Sequence, residues 1–359
     1  MFGALKEYAG EIEVISSKRS PLVKLVSKAN HYIGRIFKAE FAMSQSVFLS
    51  MAYGRQFSAH VDPSKHDVLF APLASNEVAY LKTSVPIVYL SDATFKALEN
   101  YYFSIDSVSD LYRKQGTHLE TRAIEKSAAL VYCSNWAAES AKKDYGAAPG
   151  KVHTIPLGAN IDAPPARESL HKGSTDGKCR LLFVGRDWQR KGGQIALDAF
   201  LALRFMGVDA QLTIVGCQPP QLIHDPNLVI IPFLNKKVDA DRKRLEDLYY
   251  TADFFLLPTR AECFGMVFCE ANAYGLPIVS TATGGVSTIV EEGVNGFLLP
   301  LEARGEEYAQ VIERAWKDQP FYQSLRTSTR DRYDRVLNWK SWAESVRDVM
   351  ESVVYRKAS

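Results

Sequence analysis

Four charged side chains in the second half of the chain have the types and spacing to grip an anion that carries hydroxylated groups: Arg186, Lys191, Glu262 and Glu270. The two cations form an R-x4-K pair inside the glycine-bounded run GRDWQRKGG (185–193), just ahead of a helical pattern. Unpaired amides and the helix dipole already favour an anion at such a place, and fixed cationic charge adds to them. The acids form an E-x7-E pair: Glu262 precedes a helix led by Gly265, and Glu270 is expected to face out of its second turn. Between them, the amides of Phe264, Gly265, Met266 and Val267 would floor a pocket with a carboxylate on either side. A phosphate bonded to sugars suits that pocket, because the amides hold phosphate and the carboxylates accept from sugar hydroxyls. Each such charge-assisted bond contributes roughly 1.5–3 kcal/mol. Taken singly, each feature also describes an ordinary βα unit with exposed acids, or a basic turn with no ligand. Two other phosphate motifs do not fit the 185–193 loop. A dinucleotide G-x-G-x-x-G needs two further glycines there, and a P-loop needs Ser or Thr after Gly-Lys.

The elements that must hold these residues are legible around them. Phe254 to Leu257 is an apolar run of buried-strand length, ended by Pro258 and Thr259. The helix after Gly265 runs to about Tyr274, where Gly275 and Pro277 stop it; Ile278 to Ser280 is the next strand, and Gly284-Gly285 turns into a further helix. Upstream, Arg180 to Val184 is a strand and Gln194 to Phe205 a helix, followed by strands at Gln211 to Gly216 and Leu228 to Ile231. Phe233 and Leu234, at the end of the last of these, could pass backbone groups along a flat base. Helices are expected over 242–251, 305–316, 319–334 and from Trp339 to about Arg356. The first half repeats the alternation, with strands at Asp67 to Ala71, Ile87 to Leu90, Leu130 to Cys133 and Val152 to Ile155, after a helix over 2–9 and a strand from Glu11 to Ser16. This βα pattern implies α/β architecture with parallel, doubly wound sheets. Asp92 follows the Ile87 strand at its carboxyl end, where it could position an acceptor hydroxyl or cap the helix that begins near Thr94.

Length and composition bound the reading. At 359 residues, two domains of ordinary size are expected, and PLGANIDAPP (156–165) has a linker's proline and glycine content. A net charge of +2 offers no strong attraction to nucleic acid. Apolar runs such as Ala128 to Cys133 are too short to span a bilayer, and no signal peptide is expected, because Met1 leads directly into an amphipathic pattern with acids in it. The five cysteines, including Cys263 and Cys269 beside the presumed pocket, are scattered and form no C-x-x-C pair. That pattern points to reduced thiols in a cytoplasm and to no structural zinc. Residues 18–38 carry six Lys or Arg with no acid, and Leu22, Leu25, Val26, Ala29, Ile33, Ile36 and Phe37 recur at helical spacing. Such a helix fits peripheral contact with an anionic membrane, or a core-packed helix with a solvated basic face.

In combination and in order, GRDWQRKGG, PFL, the E-x7-E pair, TGG and GVNGFLLP resemble the retaining nucleotide-sugar glycosyltransferases of family 4. The resemblance is strong over 180–300 and looser over 67–165. It implies a GT-B fold, two Rossmann-like domains facing a cleft: an acceptor-side domain over 1–160, to which a C-terminal helix at 338–359 returns, and a nucleotide-sugar domain over 161–337. By the same resemblance Arg186 and Lys191 neutralise the departing diphosphate and Glu262 holds the transferred sugar. Glu270 accepts from ribose, the amides of Phe264 to Val267 bind diphosphate and sugar, and Phe233 and Leu234 lie beside the base. No metal or other cofactor is implied; the partners are a nucleotide-sugar donor and an acceptor that the residues do not identify. Two departures stand out. Met1 begins where such enzymes have already passed a first strand and glycine-rich loop, and Ser91-Asp92-Ala93 stands where many relatives have a histidine. A donor-binding assembly subunit without catalysis, or an epimerase on the same fold, are the alternatives.

Overall fold

Short runs of apolar, largely β-branched and aromatic residues alternate with helices and assemble into two all-parallel sheets. The computed structural model describes residues 1–15, 21, 23–25, 27–28, 45–99, 101–102, 110–170, 176–221 and 223–358. The chain divides into two compact units, one of Met1–Ile155 with Ala343–Ser359, the other of Pro156–Trp342.

In the first unit, strands β1 (Leu69–Pro72), β2 (Ile87–Ser91), β3 (Ala129–Tyr132) and β4 (Val152–Thr154) lie in that order, each parallel to the next. Every residue of β2 and β3 is buried, as expected for central strands covered on both faces. Helix Asp110–Lys126 buries Leu119, Glu120, Ala123 and Ile124, and Tyr89 of β2 donates to the Glu120 carboxyl at 3.3 and 3.4 Å. Thr94, with its Oγ1 accepting from the Ala97 amide at 3.2 Å, caps the helix after β2, so Asp92 is not needed as that cap. Tyr8 donates to Glu344 at 3.0 Å, and the Arg347 guanidinium lies 5.5 Å from the Tyr8 ring.

Two expectations for the N-terminal region change. The first helix covers only Phe2–Leu5, and residues 11–15 have no regular structure instead of the strand read from their alternation. Val14 is exposed and Ile12 and Ile15 are only half-buried, so the apolar positions of the alternation are not covered as one face. The basic amphipathic segment 18–38 lies largely outside the described residues; of its apolar positions, Val23 is buried against Leu49, Ala52 and Tyr53, whereas Leu25 is 66% exposed. Among the described residues no helix is long and apolar enough to cross a membrane.

The second unit carries β5 (Cys179–Val184), β6 (Ala210–Val215), β7 (Leu228–Ile231), β8 (Phe254–Leu257), β9 (Ile278–Thr281) and β10 (Gly296–Leu299). Their order is β10-β9-β8-β5-β6-β7, with every pair parallel. Strand β5 therefore lies between β6 and β8, and the winding reverses between β5 and β8, where Leu181 pairs with Phe254. In open parallel sheets that reversal opens a crevice at the carboxyl ends of the two strands. At the opposite, amino ends of the same two strands, buried Asp253 accepts from the Arg180 amide at 2.8 Å and from Tyr322 of helix Gln319–Arg335 at 3.1 Å.

Candidate functional site

The chain leaves β5 into the 185–192 loop and β8 into the 258–265 loop, so the crevice brings together two segments far apart in sequence. Backbone groups fasten them. The Arg190 carbonyl accepts from the Arg260 amide at 2.7 Å and from the Thr259 hydroxyl at 3.2 Å, while the Arg190 guanidinium donates to the Ala261 carbonyl at 3.0 Å. Gly192 makes the approach close enough: its φ is 73°, and a Cβ there would come within 2.0 Å of the Pro258 carbonyl oxygen.

With the loops fixed in this way, Lys191 Nζ forms an ion pair with Glu262 Oε2, and the two side chains are only 11% and 9% exposed. The Glu262 carbonyl accepts from the Gly285 amide at 2.9 Å, which ties the TGG turn to the same point. Gly265, at φ 89°, then starts helix Met266–Ala273; a side chain there would be strained, and its Cβ would lie 2.7 Å from the Phe268 ring. Phe264, Gly265, Met266 and Val267 thus form the mouth of this helix, whose first amides have no acceptor within it. Phe264 is buried and Met266 is 40% exposed.

Arg186, exposed in the first loop, places its guanidinium 5.2 Å from the centre of the Phe233 ring, so the segment after β7 joins the loop after β5. Leu234 is half-buried next to it. Glu270 departs from expectation. It does not face out: it is 2% exposed, with Oε1 accepting from Lys236 Nζ at 2.6 Å and Oε2 accepting from the Tyr249 hydroxyl at 3.1 Å. Burial pushes its carboxyl above the ordinary carboxylate value, opposed by the neighbouring Lys236 ammonium and by both hydrogen bonds. Asp92 belongs to the first unit, half-buried directly after β2.

Three residues of this site escaped sequence reasoning: Arg190, Lys236 and Tyr249. Lys236 stands just beyond PFL, and Tyr249 shares a buried helix face with Leu245, but nothing local says that either meets Glu270. The five cysteines are free thiols, Cys217 half-buried and the other four buried. Cys269 is buried with its thiol donating to the Leu157 carbonyl at 3.5 Å, and burial raises its pKa; Cys217 is pushed up to about 11 for the same reason. Among the described residues no three His, Cys, Asp or Glu side chains are grouped to hold a metal ion.

Chemically, the elements around the β5/β8 crevice carry the Lys191–Glu262 pair just before the helix mouth, the Lys236–Glu270 pair with its glutamate on the helix itself, and an exposed Arg186 against Phe233. An entering polyanion can draw on the cations and the helix amides, and each carboxylate can turn its remaining acceptor capacity to hydroxyls.

Comparison with known proteins places this site inside a described segment. Residues 178–318 match the family model described as Glycosyl transferases group 1. The D-inositol 3-phosphate glycosyltransferase of Jonesia denitrificans is 30% identical over 250 residues, which cover 65% of this chain. The chain spans 58% of the length of that relative. Sucrose-phosphate synthase from Thermosynechococcus elongatus superposes with a TM-score of 0.62 at 18% identity, covering 87% of this chain and 79% of its own. Anabaena HepE, solved in complex with UDP, gives 0.62 at 18% identity over 85% and 82%. At these identities the structures show the fold, which is the α/β GT-B class expected from the sequence.

Proposed function

We propose that this chain is a retaining glycosyltransferase that moves a sugar from a nucleotide-diphosphate sugar to an acceptor hydroxyl without a metal. The observation that carries this reading is the Lys191–Glu262 pair at the β5/β8 crevice, within the matched segment 178–318. In the transfer, the bond between the anomeric carbon and the diphosphate oxygen breaks, and its electron pair stays on the departing phosphate. Lys191 and Arg186, with the helix-mouth amides of Phe264 to Val267, neutralise that developing charge. Diphosphate binding draws Lys191 from Glu262, whose carboxylate then accepts from hydroxyls of the transferred sugar. The acceptor oxygen attacks the anomeric carbon from the face the diphosphate leaves, and its proton passes to a phosphate oxygen. Retention then needs no side-chain nucleophile. Glu270 accepts from ribose, Phe233 and Leu234 flank the base, and Asp92 orients the acceptor.

Incubation with radiolabelled UDP-, GDP- and ADP-sugars tests the reading, with and without EDTA. Release of free sugar or transfer to an added acceptor, unaffected by EDTA, supports it. Binding without turnover points to a donor-binding subunit, and an epimerised nucleotide sugar points to the other reaction class.

A further inference from the structure

The E-x7-E pattern brought Glu270 into the site, but it does not say what holds that carboxylate. A glutamate this deeply buried is costly as an anion unless it is paired and hydrogen-bonded. The structure supplies both from two different elements. Lys236, on the segment after β7, takes Oε1 at 2.6 Å, and Tyr249, on helix Asp239–Thr251, takes Oε2 at 3.1 Å. Tyr249 is itself held rigid, stacked between Phe255 at 5.9 Å and Tyr274 at 5.5 Å between ring centres. Lys236 is 38% exposed along its side chain, so its position reports on the open side of the site.

An ionised carboxylate has two oxygens with about four acceptor directions in all. One donor on each oxygen holds the group in place and leaves acceptor capacity on each. A vicinal diol, which presents two hydroxyl donors side by side, can use one acceptor direction on each oxygen. We propose that Lys236 and Tyr249 are positioning residues that hold Glu270 as the acceptor of a ribose 2′,3′-diol, with Lys236 keeping it anionic. This rests on the nucleotide-sugar reading above and adds to it the pair of residues that sets ribose selectivity.

Among the described residues, the charged and titratable groups acting on Glu270 are Lys236 and Tyr249, with Tyr274 and Cys269 close by. Tyr249 and Tyr274 are held well above their ordinary values by burial, as is the Cys269 thiol on the same helix, so all three are neutral at ordinary pH. Among the described residues, Lys236 is the cation whose charge acts on Glu270. Without it the carboxyl stays protonated to higher pH, because burial then goes unopposed by charge.

The test is calorimetric titration of the full chain with UDP, GDP and ADP and with their 2′-deoxy analogues, from pH 6 to 9. Wild type should prefer the ribonucleotide of its own base. Lys236→Met should lower that ribose-over-deoxyribose preference about tenfold at pH 7, the difference between a charged and a neutral hydrogen bond. The preference should return as pH is raised and Glu270 ionises. Lys236→Arg should restore the wild-type profile, and Tyr249→Phe should weaken the preference at every pH. Full preference in Lys236→Met across the whole pH range overturns the inference while leaving the donor site intact. Failure of wild type to bind any of the nucleotides overturns the donor-site reading itself.

Discussion

Replacing Lys191 by Met separates what this residue does for the fold from what it does for the reaction. The Lys191–Glu262 pair is almost closed to solvent, at 11% and 9% exposure, so solvent screens it little. Removing one partner of a buried pair leaves the other charge uncompensated and costs about 3–5 kcal/mol. The residual exposure argues for the lower end, about 3 kcal/mol. In a domain of roughly 150–250 residues each kcal/mol moves Tm by about 2–4 °C, so Lys191→Met should melt about 6–12 °C below wild type. Removing both charges, as Lys191→Met with Glu262→Leu, should restore most of that loss, because a well-packed apolar pair is close to neutral in place of an ion pair. Turnover should not follow. If Lys191 stabilises the leaving diphosphate, kcat falls by about 10²–10³ in the single variant and stays low in the double. The measurements are calorimetric Tm and single-turnover release of labelled sugar, both made below the lowest Tm. Unchanged kcat in folded Lys191→Met refutes the diphosphate role. A double variant as unstable as the single refutes the ion pair as the source of the stability change.

Glu270→Ala should raise the donor KM with little effect on kcat, since ribose contacts are alike in ground and transition states; steady-state kinetics checks this, and a pure kcat effect contradicts it. Glu120, 5% exposed beneath Tyr89, has its carboxyl pushed by burial from 4.5 up to about 8. The folded chain therefore keeps it neutral where the unfolded chain ionises it. Its contribution to stability is complete below 4.5 and is lost as pH rises to about 8. Glu120→Gln should flatten that part of the Tm–pH curve, and an unchanged slope counts against it. If residues 18–38 meet an anionic membrane, co-sedimentation with phosphatidylserine vesicles should fall steeply between low and physiological salt; salt-independent or absent binding rules that out.

By itself the sequence determined most of what is local. The strand lengths, the glycine-led turns before helices Gly193–Phe205 and Met266–Ala273, and the residue types at Arg186, Lys191, Glu262 and Glu270 could all be read from spacing, because each depends on neighbours within a turn or two. It erred where a pattern needs a distant partner to mean anything, as with the alternation at residues 11–15, whose apolar positions are not covered as one face. Only the tertiary structure decided the strand order that puts β5 beside β8 and so sets Lys191 against Glu262. It also decided that Glu270 points inward, because what a helix face meets depends on which elements pack over it. Here Lys236 and Tyr249 come from another strand end and another helix to cover the carboxylate. Pairings of that kind leave no periodicity in the chain, since their energy comes from burial and charge shared between segments that only folding brings together.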